Sequence, residues 1–503
     1  MDKMNTNAKK KMEIIENFVV FVFIFLFCFS IIFSNSIGDL DELWNYNFAR
    51  NVSDGLVPYK DFNMVQTPLL PFICAIFLKV IGNKLLVMRI LAVIMQTVIY
   101  YLAYYFLRKY SKDVPLSVFS VIALMTICKD IFTIDYNYAV MLVGLIAMII
   151  ELNHFKAKEE QFDIGFKYNF LLGILLGLAI LFKHTTGIIL CIGALGYKVF
   201  EVRSKENIKS FFKMLGIRLL GIMVPILVFI LYLLITKSFG SFIDYAILGV
   251  KHFTNTISYK SLFDIKIVKM FAILVPIVIV CLFIIQFIKD LKWVNILFGY
   301  SLATFACTFP ISDKIHFMIG SFISIISGIL LLILMINNFI TTDKIKKIKL
   351  TILTFFAIFL VLTTGYKSIQ VINKDFIMKE KETELNHLEG IIRNDGLRGR
   401  IKYIDEYILS KEAEGKKVLI LDAEACIYYI PLNRYNKNYD MFLIGNLGNN
   451  GEDKLIEEIK SSENTLFLIK EDNVNWQTPH KVRNYVIKNR TLVDKKSIFY
   501  VYE

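Results

Sequence analysis

The chain is poor in charged residues, which make up 20% of its 503 residues, whereas 56% are hydrophobic and 43 are phenylalanine. This composition argues against a water-soluble globular protein and is typical of an integral membrane protein. No small-residue cleavage site follows the first apolar run, 18–33. We therefore expect a retained helix there, not a signal peptide that is removed.

The seven cysteines form no recognisable framework. Six of them lie in apolar segments, and Cys426 alone lies in the C-terminal part. Neither a disulfide-stapled domain nor the ligand spacing of a zinc site is indicated. A Gly/Asn-rich stretch at 445–451 lacks the glycine pattern that cradles phosphates, and no internal repeat is visible.

Eleven apolar segments are predicted to cross the membrane as helices, although several are shorter than the ~20 residues that a straight span needs. The predicted spans are 18–34, 84–107, 114–128, 137–152, 168–182, 185–201, 214–236, 267–288, 293–309, 316–337 and 349–365. Segment 68–80 is also apolar, but it is short and interrupted by Pro71. We predict that it forms a helix on the membrane surface.

Positive charges set the predicted orientation. Lys9, Lys10 and Lys11 place the N-terminus in the cytoplasm, because cytoplasmic loops carry the excess of lysine and arginine. Alternation from there puts the lysine-rich loops inside, which explains the formal net charge of +13. A site for an anionic polymer is the alternative explanation of that charge. Counting 68–80 as a span would invert every later loop.

In this orientation, acidic and basic side chains from segments far apart in the sequence fall on the outer side. One end of a helix bundle can bring such segments together. The residues are Asp39, Asp41 and Glu42; Asp130 and Asp135; Lys183 and His184; Asp244, Lys251, His252 and Tyr259; and Asp313, Lys314 and His316.

The predicted fold is an all-α polytopic membrane bundle with a small C-terminal extracytoplasmic α/β domain. Residues 1–365 form the membrane domain, whose first outer loop, 35–83, contains two juxtamembrane helices. We expect the first of these helices to lie on the surface, where Glu42, Tyr46 and Arg50 share one face; Gly55 ends it. Residues 366–503 form the α/β domain, with strands at 416–422 and 464–470 and helices near 454–461 and 480–488.

Several short motifs follow one another between about residues 15 and 320. An Asp-Glu pair stands after the first span, followed by A-R-N, G-x-x-P-Y-x-D-F and Q-T-P-L, and later by D-Y-N, K-H-T-T-G and P-x-S-D-x-x-H. This set resembles the polytopic glycosyltransferases of the GT-C fold that use lipid-phosphate sugars. That superfamily includes protein O-mannosyltransferases, the aminoarabinose transferase of lipid A and many bacterial cell-envelope enzymes.

The resemblance implies an inverting glycosyltransferase that moves a sugar from a polyprenyl-phosphate donor to an extracytoplasmic acceptor. The acceptor would be a wall polymer, a lipid or a protein. The enzyme would be a multi-pass protein of the plasma membrane, in contact with membrane lipid and with no nucleic acid.

The resemblance also implies roles for individual residues. The acidic pair of the family corresponds to Asp41, as the base for the acceptor hydroxyl, and to Glu42, which would orient the acceptor or a metal. The acid of the second outer loop corresponds to Asp135, and the basic phosphate contact to Lys183 or His184. Further candidates for substrate binding are Asp39, Lys314, His316, Tyr59 and Gln66.

The D-L-D sequence from Asp39 to Asp41 resembles a metal-binding D-x-D motif. Some members of the superfamily use a divalent metal ion and others do not. The resemblance requires no cofactor. The one cofactor that it leaves open is a divalent metal ion held by Asp39 and Asp41.

Each of these residue types also has a structural interpretation. Asp41 and Glu42 match an N-cap followed by an acid in the first helical turn, and Asp135 can cap the next span. Lys183 can extend to the membrane interface, and Tyr59 can belong to an interfacial aromatic belt. Ordinary loop roles are open to Asp39, His184 and His316.

Two other functions remain open at this point. A transporter of lipid-linked sugars would also be polytopic, but it predicts ionisable residues near the middle of spans and broken helices in two related halves. A non-catalytic envelope assembly protein would use its outer domain to bind a partner.

Overall fold

The computed structural model describes residues 2–37, 40–158, 165–202, 205–252, 256–289, 292–339, 343–372, 385–471 and 478–503. These residues are mostly helical, and a small sheet lies near the C-terminus.

Seven helices in the described ranges are long and apolar enough to cross a membrane. They are Lys10–Ser34, Leu85–Ser111, Tyr136–Phe155, Asn207–Ile235, Lys266–Phe287, Phe322–Phe339 and Ile345–Gln370. Shorter apolar helices occupy the other four predicted spans: Val114–Ile127, Phe166–Phe182, His184–Phe200 and Trp293–Ala306. The chain is a multi-pass membrane protein, and the predicted all-α bundle is confirmed.

The helices of this part are named in chain order. They are α1 (Asp2–Ser34), α2 (Leu40–Ser53), α3 (Leu69–Ile81), α4 (Leu85–Ser111), α5 (Val114–Ile127), α6 (Tyr136–Lys158), α7 (Phe166–Phe182), α8 (His184–Gly196), α9 (Lys205–Ile235), α10 (Phe239–Phe242), α11 (Lys266–Lys289), α12 (Lys292–Ala306), α13 (Lys314–Gly320), α14 (Phe322–Phe339), α15 (Asp343–Val361) and α16 (Lys367–Ile372). Short 3-10 or π turns lie at Tyr197–Glu201, Ile243–Leu248, Gly249–His252, Tyr259–Asp264 and Leu362–Tyr366.

The loop between α1 and α4 contains two helices, α2 and α3, as its pattern predicts. Helix α2 ends before Gly55, whose φ of +89° suits a glycine. Helix α3 has 13 residues, too few to cross the ~30 Å hydrocarbon core. It buries Cys74 and Leu78 while Ile76 and Val80 are exposed, as expected of a helix lying against a bilayer.

The expectation that α2 lies on the surface is wrong. Every residue from Glu42 to Asn51 is buried, including the charged side chains of Glu42 and Arg50. The helix is covered on one side by membrane helices and on the other by the C-terminal part of the chain. The polar residues of α2 therefore make their contacts inside the protein.

Helices α7 and α9 cross at backbone contact. A Cβ atom on Gly173 would lie 2.2 Å from the carbonyl oxygen of Arg218, and one on Gly221 would lie 2.2 Å from that of Phe170. Only glycine permits this approach, which is common between membrane helices. The crossing fixes α7, whose C-terminal end leads directly into α8.

A buried ionic cluster ties α6, α7, α9 and α12 together. The Glu151 carboxylate accepts hydrogen bonds from Arg218 Nη1 at 2.9 Å, from the Tyr300 hydroxyl at 3.0 Å and from the Tyr197 hydroxyl. Arg218 Nε donates to Asn169 Oδ1 at 2.9 Å. All five side chains are at least 97% buried, so each charge depends on partners inside the protein.

The C-terminal part, residues 385–503, is called the tail. It contains α17 (Asp395–Ala413), β1 (Lys417–Ile420), α18 (Cys426–Tyr429), α19 (Gly451–Lys460), β2 (Thr465–Lys470), α20 (His480–Asn489), β3 (Leu492–Lys496) and β4 (Phe499–Tyr502). The strand order is β1-β2-β4-β3, with β1 parallel to β2 and the other two pairings antiparallel. The predicted α/β fold is confirmed.

The start of the tail is bound to the ends of two membrane helices. Arg393 Nη1 donates to the carbonyl oxygen of Ser34 at 2.6 Å, at the end of α1. The backbone N–H of Leu85, at the start of α4, donates to the carbonyl oxygen of His387 at 2.9 Å. The tail therefore packs on the end of the bundle that carries α2, hereafter the α2 end.

Candidate active site at the α2 end

Four polar segments meet at the α2 end: the start of α2, the start of α6, the junction between α7 and α8, and the start of α13. Lys183, at the junction between α7 and α8, interacts electrostatically with Asp135, Asp41 and Asp313. Three carboxylates from three elements thus act on one buried lysine. The structure brings together these four residues, which the sequence placed in separate outer loops.

Lys183 occupies the junction of α7 and α8 in an extended conformation. Its Nζ donates to Asn137 Oδ1 at 2.8 Å and lies 4.7 Å from the centroid of the Tyr136 ring. Burial lowers the pKa of Lys183, and the neighbouring Asp135 opposes this shift. The ammonium group is thus poorly hydrated and is stabilised by anions nearby.

The two carboxylate oxygens of Asp135 have different environments. Its Oδ1 accepts a hydrogen bond from the backbone N–H of Asn137 at 2.6 Å, next to the first turn of α6. Its Oδ2 is buried and has no hydrogen-bond partner among the described residues. Burial raises the pKa of Asp135, while Lys183 and His316 oppose the shift. The capping interpretation accounts for only one of the two oxygens.

His316 is oriented by Asp313. Asp313 caps α13 by accepting from the backbone N–H of His316 at 2.8 Å, and its other oxygen lies 2.9 Å from His316 Nδ1. Burial alone would raise the pKa of Asp313, but the hydrogen bonds from His316 lower it below its ordinary value. The carboxylate favours a proton on Nδ1, which leaves Nε2 for a ligand.

Lys314 and His184, the other two basic residues predicted to bind substrate, are less suited to holding a phosphate. Lys314 forms an ion pair with Asp130 at 2.8 Å on the exposed rim. Burial and the charge of Lys183 lower the pKa of His184 to about 4. His184 is therefore neutral near pH 7 and offers no positive charge to a phosphate.

A small cleft with a cavity volume of about 10 Å³ opens beside Asn137, the partner of Lys183. Polar side chains from four elements mix with apolar ones on its walls. The lining residues are Asn137, Val140, Met141, Thr186, Thr304, Cys307, His316, Ile319 and Gly320. This volume holds about one water molecule, so a ligand with a charged head at Lys183 would have to widen the cleft to place an apolar portion in it.

Glu42 is engaged in a buried ion pair. Arg89 of α4 donates from Nε to Oε1 at 2.7 Å and from Nη2 to Oε2 at 3.0 Å. Arg89 Nη2 also donates to the carbonyl oxygen of Ser36 at 2.7 Å. Both side chains of the pair are at least 97% buried. Glu42 therefore anchors the first turn of α2, and it acts on the site through the position of Asp41.

Tyr59 and Gln66 belong to the loop that follows α2. Tyr59 is fully buried with a φ of +68°, and its hydroxyl donates to the carbonyl oxygen of Gln66 at 2.6 Å. The Gln66 side chain lies near that of Tyr136, whose ring is 4.7 Å from Lys183 Nζ. Tyr59 thus shapes the loop, whereas Gln66 reaches the site.

A metal ion held by Asp39 and Asp41 would need Asp39, which lies outside the described residues. Within the described ranges, no group of three His, Cys, Asp or Glu side chains could hold a metal ion. The described carboxylates therefore do not form a metal site by themselves.

Three residues at the α2 end were not chosen as candidates from the sequence: Asn137, Tyr136 and Arg89. Asn137 stands in the D-Y-N motif, and its amide could have been noted as a ligand for the neighbouring lysine. Tyr136 stands in the same motif. Arg89 lies within a predicted span, where a charged residue signals a buried partner. Nothing in the sequence identified that partner as Glu42.

The tail buries a carboxyl group directly against α2. Asp440 Oδ1 accepts from the backbone N–H of Asn436 at 2.9 Å, and Oδ2 accepts from Asn47 Nδ2 of α2 at 3.4 Å. Burial raises the pKa of Asp440 to about 6, although Arg50 opposes the shift. The contact between the tail and α2 is therefore sensitive to pH.

Replacing Asp440 by Asn is expected to stabilise the protein at neutral pH and to lose this advantage in acid. A carboxyl whose pKa is raised by folding stabilises the folded state less as the pH rises from about 4 to about 6. Because one pKa unit corresponds to about 1.4 kcal/mol, the ionised carboxylate costs about 3 kcal/mol above pH 6. Thermal unfolding of wild type and Asp440→Asn at several pH values measures the difference.

The exposed Asp453→Asn serves as the control for this titration, since its side chain is 79% accessible. An advantage of Asp440→Asn that stays constant between about pH 4.5 and about pH 7.5 would contradict the assignment.

Comparison with known proteins places this geometry in a recognised fold. Residues 65–230 match the family model described as dolichyl-phosphate-mannose-protein mannosyltransferase. No curated protein sequence matches the chain.

Solved structures match over almost the whole chain. ArnT from Cupriavidus metallidurans in the apo state is 10% identical with a TM-score of 0.57, covering 98% of each chain. The same protein bound to undecaprenyl phosphate has a TM-score of 0.54 at 10% identity and covers 96% of this chain and 97% of ArnT. The oligosaccharyltransferase AglB from Archaeoglobus fulgidus, in complex with an inhibitory peptide and a dolichol-phosphate, has a TM-score of 0.50 at 11% identity. That match covers 97% of this chain and 74% of AglB.

These matches confirm the resemblance at the level of the fold. The chain has the GT-C fold of polytopic membrane glycosyltransferases, and it is similar in fold to ArnT along almost its whole length.

Proposed function

We propose that the protein is an inverting membrane glycosyltransferase that moves a sugar from a polyprenyl-phosphate donor to an acceptor hydroxyl on the outer side of the plasma membrane. The observation that carries this proposal is the placement of Lys183: its Nζ donates to Asn137 on the wall of the cleft, and it interacts electrostatically with Asp135, Asp41 and Asp313. Structures of the same fold have been determined with undecaprenyl phosphate and with a dolichol-phosphate.

The leaving group of such a donor is a phosphate anion, so it needs positive charge and hydrogen-bond donors more than a proton. Lys183 Nζ supplies both, and His316 donates from Nε2 when its ring is the imidazolium, with Asp313 bound at Nδ1. Lys183 now donates to Asn137, and it can turn from that amide to a phosphate oxygen. A bound phosphate would further favour the charged form of Lys183, since an opposite charge raises the pKa of a lysine.

Asp41 is the base of the proposed reaction. It stands in the first turn of α2, is partly exposed and interacts electrostatically with Tyr136 and Lys183. It would take the proton of the acceptor hydroxyl while that oxygen attacks the anomeric carbon and the bond to phosphate breaks. One displacement from the face opposite the leaving group inverts the anomeric centre.

The acceptor in this proposal is a wall polymer, a lipid or a protein of the cell envelope. The lysine-rich N-terminus would lie in the cytoplasm, and the α2 end and the tail outside. Residues 1–365 would form the membrane domain, and 366–503 the outer domain that covers α2. If a divalent metal participates, Asp39 and Asp41 are the residues that would hold it.

Replacing Lys183 by Met is expected to lower kcat/KM for the donor by about 100-fold or more, because removal of a charged partner of a phosphate costs about 3 kcal/mol. The measurement is transfer from polyprenyl-phosphate sugars to envelope extract by purified protein. The exposed neighbour Lys129→Met, at the same end, is the matched control.

Consumption of the donor by wild type alone would support the proposal. If the donor is left intact with every sugar tried, but is carried across the bilayer of vesicles, the protein is a transporter instead.

A further inference from the structure

Arg50 connects the last turn of α2 to the tail. Its guanidinium is fully buried, donating from Nη1 to the carbonyl oxygen of Ile430 at 3.2 Å and from Nη2 to that of Arg434 at 2.8 Å. It also lies 4.5 Å from the centroid of the Tyr435 ring. Each of these partners belongs to the tail, so the tail provides the environment of this charge.

Two further contacts with the tail occur at intervals of three residues along α2. Trp44 Nε1 donates to the carbonyl oxygen of Ala423 at 3.1 Å, and Asn47 Nδ2 donates to Asp440. Asp41 stands three residues before Trp44 and therefore neighbours it on the helix surface. The contact with the tail follows α2 from Arg50 to within one turn of the proposed base.

The first turn of α2 is fixed separately by the ion pair of Glu42 with Arg89. The middle of α2 is held by the Tyr46 hydroxyl, which donates to the carbonyl oxygen of Asn83 at 3.1 Å. A carboxylate about 6 Å from the helix axis moves by about 1 Å when the helix rotates by about 10°. The contacts of Arg50 with the tail hold the last turn of α2 and limit this rotation.

We propose that Arg50 is a positioning residue: through it the tail sets the direction of α2 and thereby the place of Asp41 relative to Lys183. The tail is then a part of the catalytic site. This inference rests on the proposed function, since it assigns Asp41 as the base. Arg50 touches neither donor nor acceptor.

The test is Arg50→Lys, which keeps the positive charge but cannot bridge two carbonyl oxygens in a fixed plane. A displacement of about 1 Å costs about 100-fold in rate, so we expect kcat to fall by about 10-fold to 100-fold. The KM for the donor should stay within about twofold, because Lys183 and His316 belong to other elements. The matched control is Arg490→Lys, whose guanidinium also bridges two carbonyl oxygens, those of Ile459 and Ser462, but within the tail.

A spectroscopic readout makes the test independent of activity. The chain has three tryptophans, and with Trp293 and Trp476 replaced by Phe only Trp44 emits. Loosening of α2 from the tail would break the bond of Trp44 to Ala423 and shift its emission to the red. Arg50→Lys should produce this shift, and Arg490→Lys should not.

Unchanged kcat and unchanged Trp44 emission in Arg50→Lys would overturn the proposal, and so would a loss that falls on donor KM. If that variant fails to fold, Tyr435→Leu removes the ring under the guanidinium and is held to the same two criteria. A wild type without transferase activity would refute the proposed function, whereas the emission shift would still report on the attachment of α2.

Discussion

Asp41→Asn is expected to lower kcat by about 100-fold to 10,000-fold, the usual contribution of a general base. The amide keeps the size of the side chain and its place in the first turn of α2, but it cannot accept the proton of the acceptor hydroxyl. Donor binding should be retained, because the positive charge of Lys183 is supplied by another element. The loss should therefore fall on kcat, with KM for the donor within about threefold of wild type.

Transfer from a saturating donor, with initial rates at several acceptor concentrations, gives this measurement. Asp264→Asn replaces an exposed acid in another loop and serves as the matched control. Adding a chelator to both proteins separates a metal-holding role of Asp41 from a role as base. A variant that keeps more than about half of the wild-type kcat would remove Asp41 from the mechanism.

Arg218→Met is expected to destabilise the protein by about 3–5 kcal/mol, since it leaves the Glu151 carboxylate buried without its ionic partner. The hydroxyl groups of Tyr197 and Tyr300 would remain on the carboxylate but cannot neutralise it. The double variant Glu151→Leu with Arg218→Met should lose less, because no charge is then left unpaired.

Apparent unfolding temperatures in detergent test this order. Lys213→Met removes an exposed cation from the same helix and should change the unfolding temperature little. The expectation fails if the single and the double variants unfold at the same temperature, for then the pairing of the two charges is of no consequence. In preparations that remain folded in the cold, turnover should be preserved, because the cluster lies within helices that only support the site.

The sequence predicted those parts of the site that depend on local pattern. Asp135 and Asp313 each precede a helix and accept a hydrogen bond from its first turn, as short polar residues do at such places. Lys183 interrupts two apolar segments, and the break in the pattern marked the junction of α7 and α8. Their convergence followed from topology, since alternate loops of a bundle share an end.

Partners that are distant in sequence could not be predicted. Glu42 was taken as a candidate for catalysis, and nothing in the pattern showed that Arg89 would bind it. The burial of α2 required knowledge of the tail, whose contacts come from carbonyl oxygens that any residue can provide. Within the tail, β1 and β2 were predicted from their apolar runs, whereas the exposed edge strand β3, with the sequence L-V-D-K-K, has no such signal.

The long separation between Arg50 and its partners bears on biosynthesis. Ile430, whose carbonyl oxygen accepts from Arg50, lies 380 residues further along the chain. The ribosome therefore completes all eleven predicted spans before it adds this partner of Arg50. Until then the guanidinium of Arg50 needs water, and α2 cannot take up its dry, fixed position. On the proposed role of Arg50, a chain that is still being synthesised, or one truncated before the tail, would carry an unfinished site. Activity would then be acquired only with the last quarter of the polypeptide, after insertion into the membrane is over.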